Sequence, residues 1–194
     1  EAPAYGDPSL DILYMLGDEY FNKSKFKYAS DYFNKIISQK PDHEDALRKC
    51  ALSYIKAKKE TRGAEYYLKL FDLNNSKYSN LLAEAGHLFY KNESNTQAIA
   101  AYMLYLNRGF TDPVVSRRYA ELEYINKNYT TVCTLLKNVN GTSPDDRSIL
   151  LPLADSRCQT GDFKGALPLL NTIITNDKNN KKAIGLIALA NEKT

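Results

Sequence analysis

The chain has 194 residues, of which 43% are hydrophobic and 25% charged, and a formal net charge of +3. That balance is enough to bury a core and too weakly basic to point to nucleic acid. It holds no apolar run of the roughly 18–20 residues that a membrane helix needs. The three cysteines, Cys50, Cys133 and Cys158, cannot all pair and form no Cys-x-x-Cys, so no disulfide framework is expected.

Residues 1–9 read as an irregular N-terminal extension. From residue 10 onward, apolar residues recur at helical spacing. Leu13, Leu16, Gly17 and Tyr20 share one helix face, Ala29, Phe33 and Ile36 share a second, and Pro41 closes the unit. The pattern then returns. Small residues stand at Gly17, Ala51, Gly86, Ala120, Ala154 and Ala188, spaced 34, 35, 34, 34 and 34 apart. A second ladder runs through Ala29, Ala64, Ala98, Val132 and Ala166, spaced 35, 34, 34 and 34. A period of this length marks an array of stacked helix pairs.

The units run 10–43, 44–78, 79–112, 113–146 and 147–180, and a terminal helix at 181–193 repeats the first half of a unit. One extra residue in the second unit is expected in the turn Ala57–Gly63, where insertions cost least. Small residues are expected where the two helices of a pair cross. Tyr20, Tyr54 and Phe89 on first helices, and Phe33, Leu68, Tyr102, Leu136 and Leu170 on second helices, fill the space beside them. Helices of about 12–14 residues are marginal alone in water, so stacking must hold the array.

These units resemble the tetratricopeptide repeat, through Leu13–x–x–Leu16–Gly17–x–x–Tyr20 followed by Ala29, Phe33 and Pro41. The resemblance covers residues 10–194. It implies an all-α, right-handed superhelical α-solenoid: one array of five helix-turn-helix repeats and a C-terminal half-repeat helix. The later units depart from the pattern. Glu123 and Arg157 replace an aromatic, Ser116 replaces a leucine, and Phe110 and Lys178 stand where proline is usual. Pro152 falls inside the fifth unit's first helix and predicts a late start or a kink there.

Little in the chain suggests catalysis. There are two histidines, His43 and His87, and His43 is expected to be solvated in a turn between units. No His-Glu-x-x-His, phosphate loop or Gly-x-Ser-x-Gly occurs. Asp145 and Asp146 read as acids favoured ahead of a helix, and His87 lacks neighbouring ligands for a metal. No enzyme, cofactor or metal is expected.

The resemblance also implies a surface. In this family the first helices line a concave groove through the second, fifth, ninth and twelfth residues of each unit. In this sequence the candidates are Tyr14, Asp18 and Phe21 in the first unit and Arg48, Leu52 and Ile55 in the second. His87 and Tyr90 follow in the third unit, and Arg117, Glu121 and Tyr124 in the fourth. Ser148, Leu151, Asp155 and Cys158 hold the same places in the fifth. Phe21, Ile55, Tyr90 and Tyr124 form an apolar and aromatic row at the twelfth place, with Arg48 and Arg117 on the same surface. Aromatics and arginine are enriched at binding hot spots, although a neighbouring helix could equally cover this row as core.

Members that clamp chaperone C-terminal carboxylates need Lys and Asn where this chain has Tyr14 and Asp18. They need Lys and Arg where it has Asn80 and Glu84. No carboxylate clamp is therefore expected. The role implied is a non-catalytic scaffold for a protein or peptide partner, without nucleic acid or a membrane span. The alternative is a homo-oligomer that self-associates through the array ends or the convex face, with Leu186 and Leu189 in an apolar end face.

Overall fold

A computed structural model describes residues 9–138 and 147–194, so most of the N-terminal extension and the Asp145–Asp146 pair lie outside the described residues. Eleven α-helices and no strand occur among the described residues. They are α1 (Leu10–Asn22), α2 (Phe26–Gln39), α3 (Glu44–Lys56), α4 (Glu60–Leu73), α5 (Ser79–Lys91) and α6 (Asn95–Asn107), then α7 (Pro113–Ile125), α8 (Tyr129–Leu135), α9 (Arg147–Gln159), α10 (Phe163–Asn176) and α11 (Lys181–Lys193). The chain forms two compact bodies, Glu1–Phe110 and Thr111–Thr194. Within each body, consecutive helices pack on one another as an α-solenoid.

Side-chain caps start many of these helices. Ser9, Asp112, Asp162 and Asn180 accept hydrogen bonds from the free backbone N–H groups of the first turn, and Pro113 takes the first helical position of α7. His43 does the same for α3, its Nδ1 accepting from Ala46 N at 3.3 Å. This corrects the expectation of a solvated His43: the imidazole is half-buried and stacks on Tyr14.

Each helix pair is joined by a three-residue turn of one design. The middle residue is left-handed at Ser24, Lys58, Glu93, Lys127 and Gly161. The third residue donates its N–H back to the helix, from Lys25 to Tyr20 O at 2.9 Å, Lys59 to Tyr54 O at 2.8 Å and Ser94 to Phe89 O at 2.9 Å. Asn128 to Glu123 O and Asp162 to Arg157 O repeat it at 2.8 Å. This closure satisfies orphan carbonyls at the helix end. It also fixes the turn length, so the turn cannot absorb an extra residue.

The extra residue of the second unit is therefore elsewhere. The α3–α4 turn has the common length, and the addition falls in the α4–α5 connection, residues 74–78, against 40–43 between α2 and α3. There Asn74 Oδ1 accepts from Lys77 N at 2.9 Å, and Tyr78 N donates to Asn74 O at 3.0 Å. The rung of the second ladder moves with it. Gly63, not Ala64, is the fourth residue of α4, as Ala29 is of α2 and Ala98 of α6. Likewise Tyr67, not Leu68, holds the place of Phe33.

The crossings are as tight as the ladders require. A Cβ on Gly17 would lie 2.8 Å from Phe33 Cε1, and one on Gly86 would lie 2.5 Å from Tyr102 Cε1. At Gly63 it would meet Ile55 Cγ1 at 2.4 Å and the Ala51 carbonyl at 3.0 Å. Phe33 and Tyr102 are fully buried, as are Ala51, Ala98, Ala154 and Ala166.

The second body departs in three ways. First, α8 is only seven residues long, although Val132 and Leu136 still fill their places in the core. Second, α9 does not start late. It begins at Arg147, 34 residues after α7, and runs through Pro152. Pro168 holds the same sixth place in α10. Each proline removes a bond to the fourth residue before it, Ser148 or Lys164, and both of these are exposed. Third, Leu186 is buried against α10 with Ala183 and Ala190, so it does not belong to an exposed end face. Leu189 is exposed.

The residues that replace the usual aromatic are locally satisfied. Glu123 is buried and accepts from Asn128 Nδ2. Arg157 donates to Gly165 O at 2.7 Å.

Candidate functional site

In the first body the concave-register residues interlock. Tyr14 stands edge-on to Phe33, with ring centroids 5.7 Å apart, and lies nearly parallel to His43 at 6.0 Å. Burial lifts its hydroxyl above the ordinary value, and the Asp18 carboxylate adds to the effect. Asp18 pairs with Lys49 Nζ at 2.7 Å, and the same ammonium lies 5.1 Å from the centre of the Phe21 ring. Phe21 in turn packs edge-on against Phe26.

The twelfth-place row is half-buried throughout, at Phe21, Ile55, Tyr90 and Tyr124. Three of the four lean on the second helix of their own pair: Phe21 on Phe26, Ile55 on Gly63 and Tyr124 on Tyr129. His87 joins Tyr102, with Nδ1 2.8 Å from the buried hydroxyl. Sequence reading had no signal for that bond, since the two residues lie on different helices of the pair.

One cleft brings concave positions of successive units together. It has a volume of about 380 Å³ and is lined by Arg48 and Leu52 of α3, Tyr67 of α4, Lys77 and Tyr78 of the connection, and Asn80 and Leu81 of α5. Arg48 is exposed and donates to Asp45 Oδ1 at 2.9 Å. Tyr78 OH donates to Glu44 Oε2 at 2.7 Å, and Lys77 pairs with the same carboxylate. The bond from Lys77, then that from Tyr78, holds the Glu44 carboxyl below its ordinary range. Lys77 and Tyr78 of the longer 74–78 connection thus line the cleft.

The second body holds a different cluster. Tyr124 OH donates to Asp155 Oδ2 at 2.5 Å, and Lys182 Nζ reaches Asp155 Oδ2 at 2.6 Å and Tyr124 OH at 2.5 Å. Gln159 Nε2 adds a bond to Asp155 Oδ1 at 3.3 Å. Burial pushes the Asp155 carboxyl up, but the bonds from Lys182, Tyr124 and Gln159 outweigh it and leave the group below its ordinary value. Lys182 was not among the sequence candidates. It is the second residue of the terminal half-unit, and extending the register by one unit would have found it. Arg117 and Glu121 are half-buried and have partners of their own.

Among the described residues no three His, Cys, Asp or Glu side chains come together as a metal site. No described helix is long and apolar enough to cross a membrane. Cys50 is buried beside Asn34 Oδ1 at 3.4 Å, and burial pushes its thiol up to about 12.

No family model and no curated protein sequence matches this chain. Solved structures do. MamA aligns at TM-score 0.57 and 13% identity, covering 89% of this chain and 94% of that one. A second MamA structure, AMB-1, aligns at 0.59 and 13%, covering 92% and 97%. YrrB, described as a TPR protein with an unusual peptide-binding site, aligns at 0.56 and 14%, covering 84% and 92%. Together with the helix pairs, the repeated turn and the small-residue crossings, these likenesses show that the chain has the tetratricopeptide-repeat fold.

Proposed function

We propose that this protein is a non-catalytic interaction scaffold that receives a segment of a partner protein on its first-helix surface. The observation that carries this reading is the cleft between α3 and α5. It combines apolar walls (Leu52, Leu81), two tyrosines (Tyr67, Tyr78) and an exposed arginine (Arg48). The Arg48–Asp45 pair is solvent-exposed, and such pairs are worth only about 0–1 kcal/mol. The guanidinium can therefore exchange that partner for a carbonyl or carboxylate on a bound segment. The fold shared with YrrB, whose printed description includes a peptide-binding site, supports the same class.

In this reading residues 10–194 act as one array behind the extension 1–9. The contact set extends from the cleft to Tyr14, Asp18, Phe21 and Ile55, to His87 and Tyr90, and to Arg117, Glu121 and Tyr124. Neither a cofactor, nucleic acid nor a carboxylate clamp enters it. The test is a peptide array probed with the intact chain, followed by calorimetric titration of the best segment. Arg48→Ala with Leu52→Asp should weaken that segment at least tenfold at unchanged helicity. Undiminished binding by the double variant would remove the cleft from the reading.

A second reading, self-association, rests on α1. Ile12 is 50% exposed and Met15 71% exposed, whereas Ala46 and Ala183, at the place of Ile12 in their own helices, are fully buried. Sedimentation across a dilution series would show a mass that rises with concentration and falls on Ile12→Asp. A monomer at every concentration ends this reading.

A further inference from the structure

The first body has two edges of opposite charge. Its helices alternate in direction, so the turns inside pairs, 23–25, 57–59 and 92–94, share one edge, and the connections 40–43 and 74–78 share the other. Side-chain bonds join neighbours along each edge. Lys91 and Asn92 both reach Glu60, and Lys77 and Tyr78 both reach Glu44. Within three residues of the first two turns the chain carries seven cations and one carboxylate, Glu60. Within three residues of the two connections it carries two cations, Lys40 and Lys77, and four carboxylates, Asp42, Glu44, Asp45 and Asp72. Five of the seven turn-edge cations, Lys25, Lys27, Lys56, Lys58 and Lys59, are exposed and make no ion pair among the described residues. The other two are engaged: Lys23 pairs with Glu19, and Arg62 lies 5.8 Å from the centre of the Tyr54 ring.

Local stability does not explain these lysines. Lys25 and Lys59 are the N-cap residues of α2 and α4, where neither makes a side-chain cap bond and where a cation opposes the positive end of the helix dipole. The same place in later pairs holds Ser94, Asn128 and Asp162, and Asp162 caps α10 by accepting from Gly165 N at 2.9 Å. The backbone at Lys25 (φ −88°, ψ 60°) matches that at Asp162 (φ −84°, ψ 65°), so a capping side chain would fit. A local rule broken twice along one edge points to a use for the charge. The lysines stand on two turn tips, and Tyr28, next to Lys27, is 56% exposed. Lysine is a flexible point charge without the planar fork that reads a single carboxylate or base, and tyrosine is enriched at membrane interfaces. A single-stranded nucleic acid needs free stacking faces, whereas Tyr28 already leans on Tyr20 with ring centroids 5.4 Å apart. We infer that this edge of the first body binds a membrane surface that carries anionic lipid headgroups, through Lys25, Lys27, Lys56, Lys58 and Lys59. The inference stands apart from the cleft between α3 and α5.

The test is co-sedimentation of the intact chain with vesicles of phosphatidylcholine and phosphatidylserine, against vesicles of phosphatidylcholine alone. The chain should bind the anionic vesicles only, and more weakly as salt rises. Each lysine close to an anionic leaflet strengthens binding by about fivefold. Lys25→Asp with Lys59→Asp should therefore weaken binding by at least about tenfold. Aspartate at these places can cap α2 and α4, so the thermal midpoint of this double variant should not fall. That readout separates lost binding from lost folding. Lys164→Asp with Lys178→Asp changes the net charge equally, at exposed sites in the second body, and should leave binding within about twofold. No binding to the anionic vesicles, or equal weakening by the two double variants, overturns the inference. So does tighter binding of an oligonucleotide or a polyglutamate peptide that Lys25→Asp with Lys59→Asp abolishes, because the edge then serves another polyanion.

Discussion

Replacing Gly86 by alanine probes the tight crossing of the α5–α6 pair. The added Cβ would lie 2.5 Å from Tyr102 Cε1 and 2.7 Å from Cδ1, about an ångström inside normal contact. Tyr102 has little freedom to yield, because its ring is fully buried and its hydroxyl is 2.8 Å from His87 Nδ1. Overpacking of this kind costs about 1–3 kcal/mol. The glycine-to-alanine change itself favours a helix by about 1 kcal/mol. The net expectation for Gly86→Ala is a loss of about 0–2 kcal/mol. Gly185 is the control, since it is also helical but a Cβ there meets nothing within 4 Å. Gly185→Ala should therefore gain about 1 kcal/mol from propensity alone. Urea denaturation followed by far-ultraviolet circular dichroism should place the two midpoints on opposite sides of the parent. A Tyr102→Leu background, which frees space at the crossing, should make Gly86→Ala less harmful, a coupling that a double-mutant cycle detects. If Gly86→Ala stabilises as much as Gly185→Ala, the crossing is not the tight contact described.

The turns offer a second test: Lys58 and Glu93 occupy left-handed positions at φ 62° and 57°, so Lys58→Gly or Glu93→Gly should raise stability by about 1 kcal/mol in the same denaturation, and Gly161→Ala should lower it by a similar amount. Thiol labelling at mild alkaline pH should modify Cys133 first and leave Cys50 protected until unfolding, because Cys50 is buried with its thiol pushed up to about 12 whereas Cys133 is partly exposed. A Cys50 that reacts as fast as Cys133 in the folded chain would contradict that burial. The lowered Asp155 carboxyl predicts acid sensitivity. A depressed folded value adds stability that is complete above the unfolded value, about 3.9, and is lost as pH falls through the folded one. Asp155→Asn should flatten that acid limb of the stability profile, and an unchanged limb would show that the cluster with Tyr124 and Lys182 does not hold in solution.

Much of the fold was legible because a crossing tolerates only small residues, which makes a ladder such as Gly17, Ala51 and Gly86 visible at fixed period. The ladder failed at Gly63 and Ala64 for a physical reason. Both residues are small and adjacent, so spacing alone could assign the extra residue to either connection. The backbone closure of the α3–α4 turn, from Lys59 N to Tyr54 O, decides the matter and leaves no trace in side-chain type. His43 was misread because a capping imidazole looks like a solvated one until its acceptor is placed against Ala46 N. Pro152 was expected to delay or kink α9, yet the helix runs from Arg147, and the carbonyl the proline releases belongs to exposed Ser148. At the site, the register named Arg48 and Leu52, but Lys77 and Tyr78 reach the cleft from the connection between helices, outside the first-helix places that the register scans. Lys182 lay one half-unit past the last candidates.

The central claim is that a bulky side chain of the second helix lies over a small residue of the first, as in the α1–α2 and α5–α6 pairs. Nuclear Overhauser contacts between the glycine Hα protons and those rings report it directly. Gly86 Hα should show strong contacts to the Tyr102 ring, and Gly17 Hα to the Phe33 ring, with both glycine signals displaced by ring currents. Glycine protons without these contacts, or Gly86 in contact with some other ring, would contradict the register on which the proposed first-helix surface rests.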